Sequence, residues 1–129
     1  MTRNHARRNH YDRVKDSRPN YHLLPSNLVC KVLFSGKRAI GVSYLPTTGS
    51  AEGCVSKAYA SKEVILTAGG LGSPKILQLS GVGPKKLLNK FGIPVVSDLP
   101  GVGQNLQDQP TLTIPYNCKR LAPDSTVNH

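Results

Sequence analysis

Tryptophan is absent, methionine occurs once, and tyrosine and phenylalanine together make up only 5% of the residues. With 38% hydrophobic residues in a chain of 129, any core must be small and aliphatic. Long apolar runs are missing too. None approaches the ~18 residues needed to cross a bilayer, and the N-terminal residues 1–17 are basic and polar, unlike a secretory signal. Acidic residues are scarce, seven against 17 Lys and Arg, giving a formal net charge of +10. The three cysteines, Cys30, Cys54 and Cys118, form no CxxC pair. The four histidines, His5, His10, His22 and His129, complete no zinc pattern, so no metal site is assigned. Collagen, coiled coil and disulfide-rich miniprotein are excluded by composition.

What is present is one domain's worth of chain, punctuated by 12 glycines and ten prolines. Residues 1–18 form a basic surface segment: Arg3, Arg7, Arg8, Arg13, Lys15 and Arg18 face only Asp12 and Asp16. A short helix is expected over residues 6–15, broken at Arg18-Pro19 because proline disfavours helical backbone before it. Residues 28–60 read as an antiparallel β-meander. Its strands are 28–34, 39–45 and 54–60, the first two joined through the turn Ser35-Gly36-Lys37. Residues 63–83 read as strand, glycine turn and helix. The run Glu63-Val64-Ile65-Leu66-Thr67 is apolar on both faces, which predicts a strand inside a sheet. Ser73 is the expected N-cap, Pro74 the first helical residue and Gly81 the stop. Residues 84–110 supply a second short helix from Pro84 to Gly92, a strand over 94–98 and a rigid Pro100-Gly101-Val102-Gly103 turn. Residues 111–129 are a polar tail with one weak strand at 112–114. The fold class expected is α/β, an α+β mixture with a small meander and two short helices.

Strand, glycine turn and helix N-terminus is a layout that can receive a phosphate or pyrophosphate. The chain nevertheless has no GxGxxG and no GxxxxGK[ST], so a plain β-turn-α connection stays open as the reading of residues 63–77. Catalytic groups are few. No GxSxG elbow exists, the seven acids show no paired spacing, and the histidines lie near the termini or before the first strand. No catalytic residue is assigned. The positive charge suits a phosphate backbone. Beyond Arg18, however, the basic residues are dispersed, no nucleic-acid motif is present, and Tyr11, Tyr21 and Phe34 form no stacking platform.

The stretch Ala68-Gly69-Gly70-Leu71-Gly72-Ser73-Pro74-Lys75-Ile76-Leu77-Gln78-Leu79-Ser80-Gly81-Val82-Gly83 resembles the second signature of the glucose-methanol-choline (GMC) oxidoreductases. Gly70 departs from it, standing where the family commonly has Ala, Pro, Ser or Thr. The resemblance runs from about residue 7 to 116. It takes in Arg18-Pro19-Asn20, the strands around Val29 and Gly41-Val42, and Leu99-Pro100-Gly101-Val102-Gly103-Gln104-Asn105-Leu106-Gln107-Asp108. Many members follow that Asp with His; here Gln109 stands there.

The resemblance implies a central fragment of a Rossmann-like FAD-binding domain, in enzymes that pass hydride from an alcohol carbon to the flavin. Val29 resembles the position whose backbone meets the adenine ring. Ala68 and Gly69 resemble the turn beside the dinucleotide. Gln104, Asn105 and Asp108 resemble a loop nearer the flavin, which a purely structural turn explains equally well. The family's N-terminal GxGxxG and its catalytic histidine have no counterpart in these residues. The chain alone is therefore expected to be inactive and only marginally stable. FAD and, in the full-length enzyme, a small-molecule alcohol are the expected partners, with no specific nucleic acid and no membrane. Two other readings remain: a small basic module binding anions or nucleic acid, and an unstable remnant without activity.

Overall fold

The computed structural model describes residues 5–47 and 56–115. A π-helical turn, Arg7–Tyr11, opens the described chain, and hydrogen-bonded turns carry it to residue 17. The helix expected over 6–15 is thus replaced by a wider turn. The Asp12 N–H donates to the Arg7 carbonyl at 2.9 Å, a bond across five residues. Too few apolar side chains occur here for a core-facing α-helix, and the chain leaves helical backbone before Pro19, as expected.

The hairpin is built as its sequence predicts. Strand β1, Asn27–Ser35, pairs antiparallel with β2, Arg38–Pro46, and Ser35 faces Arg38 across the loop Gly36-Lys37. Gly36 takes φ +58° while Lys37 stays at negative φ. Positive φ at the first loop residue matches the strand twist and favours glycine. Strand β3, Ser56–Tyr59, joins the other edge of β2 to complete a sheet ordered β1-β2-β3. The expected start of that strand, Cys54 and Val55, lies outside the described residues.

Helix α1, Gly69–Leu79, lies against β1. Its C-terminal Ser80 docks on the outer edge of β1, where the Ser80 Oγ accepts the Val32 N–H at 2.8 Å. That bond satisfies a main-chain donor on an otherwise open sheet edge. Gly81 then turns the chain at φ +87°, where an added Cβ would lie 2.3 Å from the Pro94 carbonyl oxygen. Close approach and left-handed backbone both require glycine there.

The chain continues through β4, Val82–Gly83, α2, Lys85–Lys90, and β5, Ser97–Asp98, with β4 and β5 parallel. A parallel pair needs a crossover, and α2 supplies it. The ends of α2 are closed by short-range bonds. Asp98 Oδ1 accepts the Lys85 N–H at 2.9 Å, doing what the Pro84 cap position cannot. At the other end, Gly92 sits at φ +66° and the Ile93 N–H reaches back to the Leu88 carbonyl at 3.0 Å, a glycine-terminated helix end.

Four expectations need correction. Residues 63–67 are extended but join no ladder among the described residues, and Ile65 is 74% exposed. Both edges of β2 are already taken by β1 and β3, while β4 and β5 pair with each other. Next, α1 starts at Gly69 rather than after Ser73, with Pro74 inside it. The Ser73 Oγ accepts the Ala68 N–H at 3.0 Å, so this serine closes the helix start from within its second turn. Of residues 94–98, only Ser97–Asp98 form a ladder. Residues 112–114 are not strand, and Leu112 is 83% exposed. A run this short cannot hold strand geometry without a partner.

Buried hydrophobic side chains among the described residues are Val32, Val82 and Leu88. The thin core expected from composition is what forms.

Candidate functional site

Between the face of the three-stranded sheet and residues 63–68 runs a groove of about 590 Å³. Its walls are mostly aliphatic. Val29 of β1, Val42 of β2 and Ala58 of β3 stand on the sheet side; Val64, Leu66 and Ala68 stand on the other. The size lies within the range of small-molecule sites.

Of the three site residues expected from the sequence, Val29 and Ala68 line this groove, although they stand far apart in the chain. Gly69 follows Ala68 as the first residue of α1, at φ +82°, and a Cβ added there would meet no atom within 4 Å. Glycine at 69 is therefore set by backbone conformation, and the space beside it is open to a bound molecule. The structure thus brings Val29 and Ala68 to one groove, while Gly69, the next residue, does not line it.

Local chemistry explains the arrangement. At Val29 the β1–β2 register shifts between Val29 and Lys31, leaving Cys30 unpaired on β2. A bulge of this kind re-aims the strand and interrupts the ladder, a device common beside binding sites. Cys30 itself is a half-buried free thiol; Cys54 and Cys118 lie outside the described residues. Ser26, just before β1, is held at φ +56°, and its carbonyl accepts bonds from the N–H and hydroxyl of Thr47. This clamp fixes the strand's entry to the groove.

Residues 63–67 offer main-chain groups without backbone partners among the described residues. Aliphatic walls with free peptide edges suit a flat heterocycle, which stacks on apolar surface and is read by main-chain donors and acceptors. An adenine ring meets those requirements. The chemistry of the groove's lining is compatible with the adenine half of a dinucleotide.

Two supporting positions escaped the sequence reading. Gly41 lines the groove, and its ladder neighbour β3 lies so close that a Cβ there would fall 2.2 Å from the Ala58 carbonyl oxygen. A glycine within a strand pattern is a sign of such close approach. Gln78 was legible only as a helix position, yet its Nε2 donates to the Val102 carbonyl at 3.1 Å and ties the Pro100–Gly103 turn to α1. Around that tie, Gln104 and Asn105 line a second cavity of about 520 Å³; Asp108 does not line it, and its Oδ1 accepts the Gln109 N–H at 2.8 Å. No group of His, Cys, Asp and Glu that could hold a metal ion occurs among the described residues.

The family model described as GMC oxidoreductase matches residues 3–111. Among curated proteins, the chain is 56% identical over 115 residues to dehydrogenase xptC of Emericella nidulans, covering 89% of this chain and 18% of the relative. It is 50% identical over 116 residues to an oxygen-dependent choline dehydrogenase of Pseudomonas putida, covering 90% and 20%. Among solved structures, an FAD-dependent oxidoreductase from Chaetomium thermophilum, in complex with a butanamide fragment bearing pyridinyl and thienyl groups, superposes with a TM-score of 0.75. The identity is 72%, over 81% of this chain and 17% of that one. The chain thus spans about a fifth of the length of the curated relatives it matches. With the family-model match and the mixed helix-and-strand fold in agreement, the chain belongs to the GMC oxidoreductase family and carries part of its Rossmann-like FAD-binding domain.

Proposed function

We propose that this chain supplies the adenine-side wall of an FAD site in an oxidoreductase acting on CH–OH groups. The observation that carries the reading is the meeting of Val29 and Ala68 in one groove, with open space beside Gly69. In this reading Val29 presents its peptide edge to the adenine ring. Gly69 lets the dinucleotide pass close to the backbone at the start of α1.

When bound, FAD supplies the electron acceptor for oxidation of an alcohol. The residues of this chain bind and orient the cofactor; none of them is assigned as the base that takes the alcohol proton. Alcohol oxidation then requires residues that the rest of a full-length family fold provides, and residues 1–129 alone are inactive. The substrate is a small-molecule alcohol. That class follows from the family and from relatives named as dehydrogenases.

Thermal melts of residues 1–129 with ADP, with FAD and with riboflavin test this. The expected result is a rise in melting temperature with ADP and FAD, absent with riboflavin and abolished by Val29→Arg. A ligand present at 100 times its Kd adds about 2.7 kcal/mol. Equal shifts with riboflavin, or no shift with either adenine compound, would overturn the assignment of the groove.

A further inference from the structure

Away from this groove, the N-terminal segment borders a separate open depression of about 520 Å³, lined by Ala6, Arg7, His10, Tyr11, Tyr21 and Leu23. None of these residues lines the FAD-side groove. We propose that this depression binds a small aryl phosphate, a planar ring carrying a phosphate group.

Three features of the segment lead to that ligand. The first is aromatic: the Tyr11 and Tyr21 rings lie 5.9 Å apart between centroids and are tilted by 44°. The rings pack against each other in that tilted contact, and Tyr21, 44% exposed, keeps an outer face on which a further ring can stack, an interaction that tolerates different rings. The second is cationic. Arg7 is oriented by Asp12, its Nε 3.4 Å from Oδ1, which leaves the terminal nitrogens of the guanidinium for another acceptor. A guanidinium matches phosphate geometry with paired N–H donors. His10 adds a second nitrogen-bearing side chain to the same wall. Arg8, Arg13 and Arg18 form no ion pair among the described residues, so the field around the depression stays positive.

The third feature is the backbone. Residues 7–11 wind as a π-helix, with the Asp12 N–H bonded to the Arg7 carbonyl. Arg7, His10 and Tyr11, at i, i+3 and i+4, share one face of this turn, and π-helical turns are rare and recur at functional sites. A basic surface alone would attract any polyanion. An open depression that sets two rings beside an arginine favours a ligand having both an aromatic and an anionic part.

Phenyl phosphate is the probe, because it lacks the adenine that the other groove would take. The full 129-residue chain is titrated and followed by NMR at the Tyr11, Tyr21 and His10 side chains. Tyrosine emission is readable in parallel because the chain has no tryptophan. Saturable shifts confined to this segment are expected. Arg7→Gln and Tyr21→Ala should each weaken binding about tenfold, as the loss of one charged or stacking partner implies. The amide signals of β1 and β2 should stay in place in both variants, showing that the fold survives. Inorganic phosphate or phenol alone should bind at least about tenfold more weakly than phenyl phosphate. If inorganic phosphate or single-stranded DNA shifts the same signals as strongly, the segment is a general basic surface and the proposal fails. It fails equally if phenyl phosphate gives no saturable shift, or if Arg7→Gln binds as the parent does.

Discussion

Residues 81–99 and residues 63–67 are separated by little more than helix α1 and could hardly be more different. In the first region, many main-chain requirements are met from within the region itself. Asp98 caps α2, the Ile93 N–H closes its far end, and the Gly81 carbonyl accepts the N–H groups of both Val96 and Ser97. Leu88 sits in the middle, 1% exposed. The second region has an equally apolar sequence and leaves Ile65 in solvent. Apolarity states that a segment favours burial; it does not supply the surface that buries it. Where the partner lies within about 15 residues, as Pro94 does for Gly81, the short chain brings it; residues 63–67 find no ladder partner among the described residues.

That contrast can be broken most severely at Gly81 and Leu88. Gly81→Ala forces a Cβ against the Pro94 carbonyl and a left-handed backbone on a residue with a side chain. Together these should cost about 3 kcal/mol or more. Leu88→Ala removes the best-buried apolar side chain of the same region and should cost about 2–5 kcal/mol. Either loss is comparable with much of the stability of a small domain. Circular dichroism melts should therefore show the cooperative transition lowered steeply or lost. A normal transition in both variants would mean that residues 81–99 are not the organising unit of the fold.

A smaller effect is expected from Asp98→Ala. It removes the acceptor of the Lys85 N–H at the start of a helix that lacks any other side-chain cap. The expected cost is about 1 kcal/mol, read as a shift in the urea midpoint at unchanged slope. Asp98→Asn should recover most of it, since an amide oxygen accepts the same bond. Should Asn behave like Ala, charge at the helix N-terminus, rather than the hydrogen bond, would be the active element.

The same division between near and distant partners explains what could be read from the sequence. The β1–β2 hairpin was legible because its turn residue, Gly36, and both of its strands are contiguous. Gly81 and Gly92 were legible as helix stops for the same reason. Val29 and Ala68 were placed at the cofactor site by family resemblance, and no pattern of period or spacing could have joined them across the sheet. Ser73 was recognised as a capping residue but set at the wrong place. Its hydroxyl reaches back to Ala68, and the positive φ of Gly69 lets the helix begin a turn early. Gly41 and Gln78 act through contacts with Ala58 and Val102 that only the folded chain creates.

The sharpest form of the comparison is a substitution expected to do almost nothing. Ile65→Thr keeps the β-branch and replaces a methyl-bearing arm by a hydroxyl at a side chain already 74% exposed. In residues 1–129 it should shift stability by no more than about 0.5 kcal/mol, as exposed positions do. Its neighbours' amides, lacking main-chain acceptors among the described residues, should exchange with deuterium far faster than those of β1 and β2. In a protein carrying the whole family fold, the same change should cost more than about 1 kcal/mol if the run there becomes a covered strand. Equal and small effects in both settings would show that residues 63–67 are open in the complete fold as well. The apolar pattern of this run would then serve the groove, which Val64, Ile65 and Leu66 all line, with no burial of Ile65.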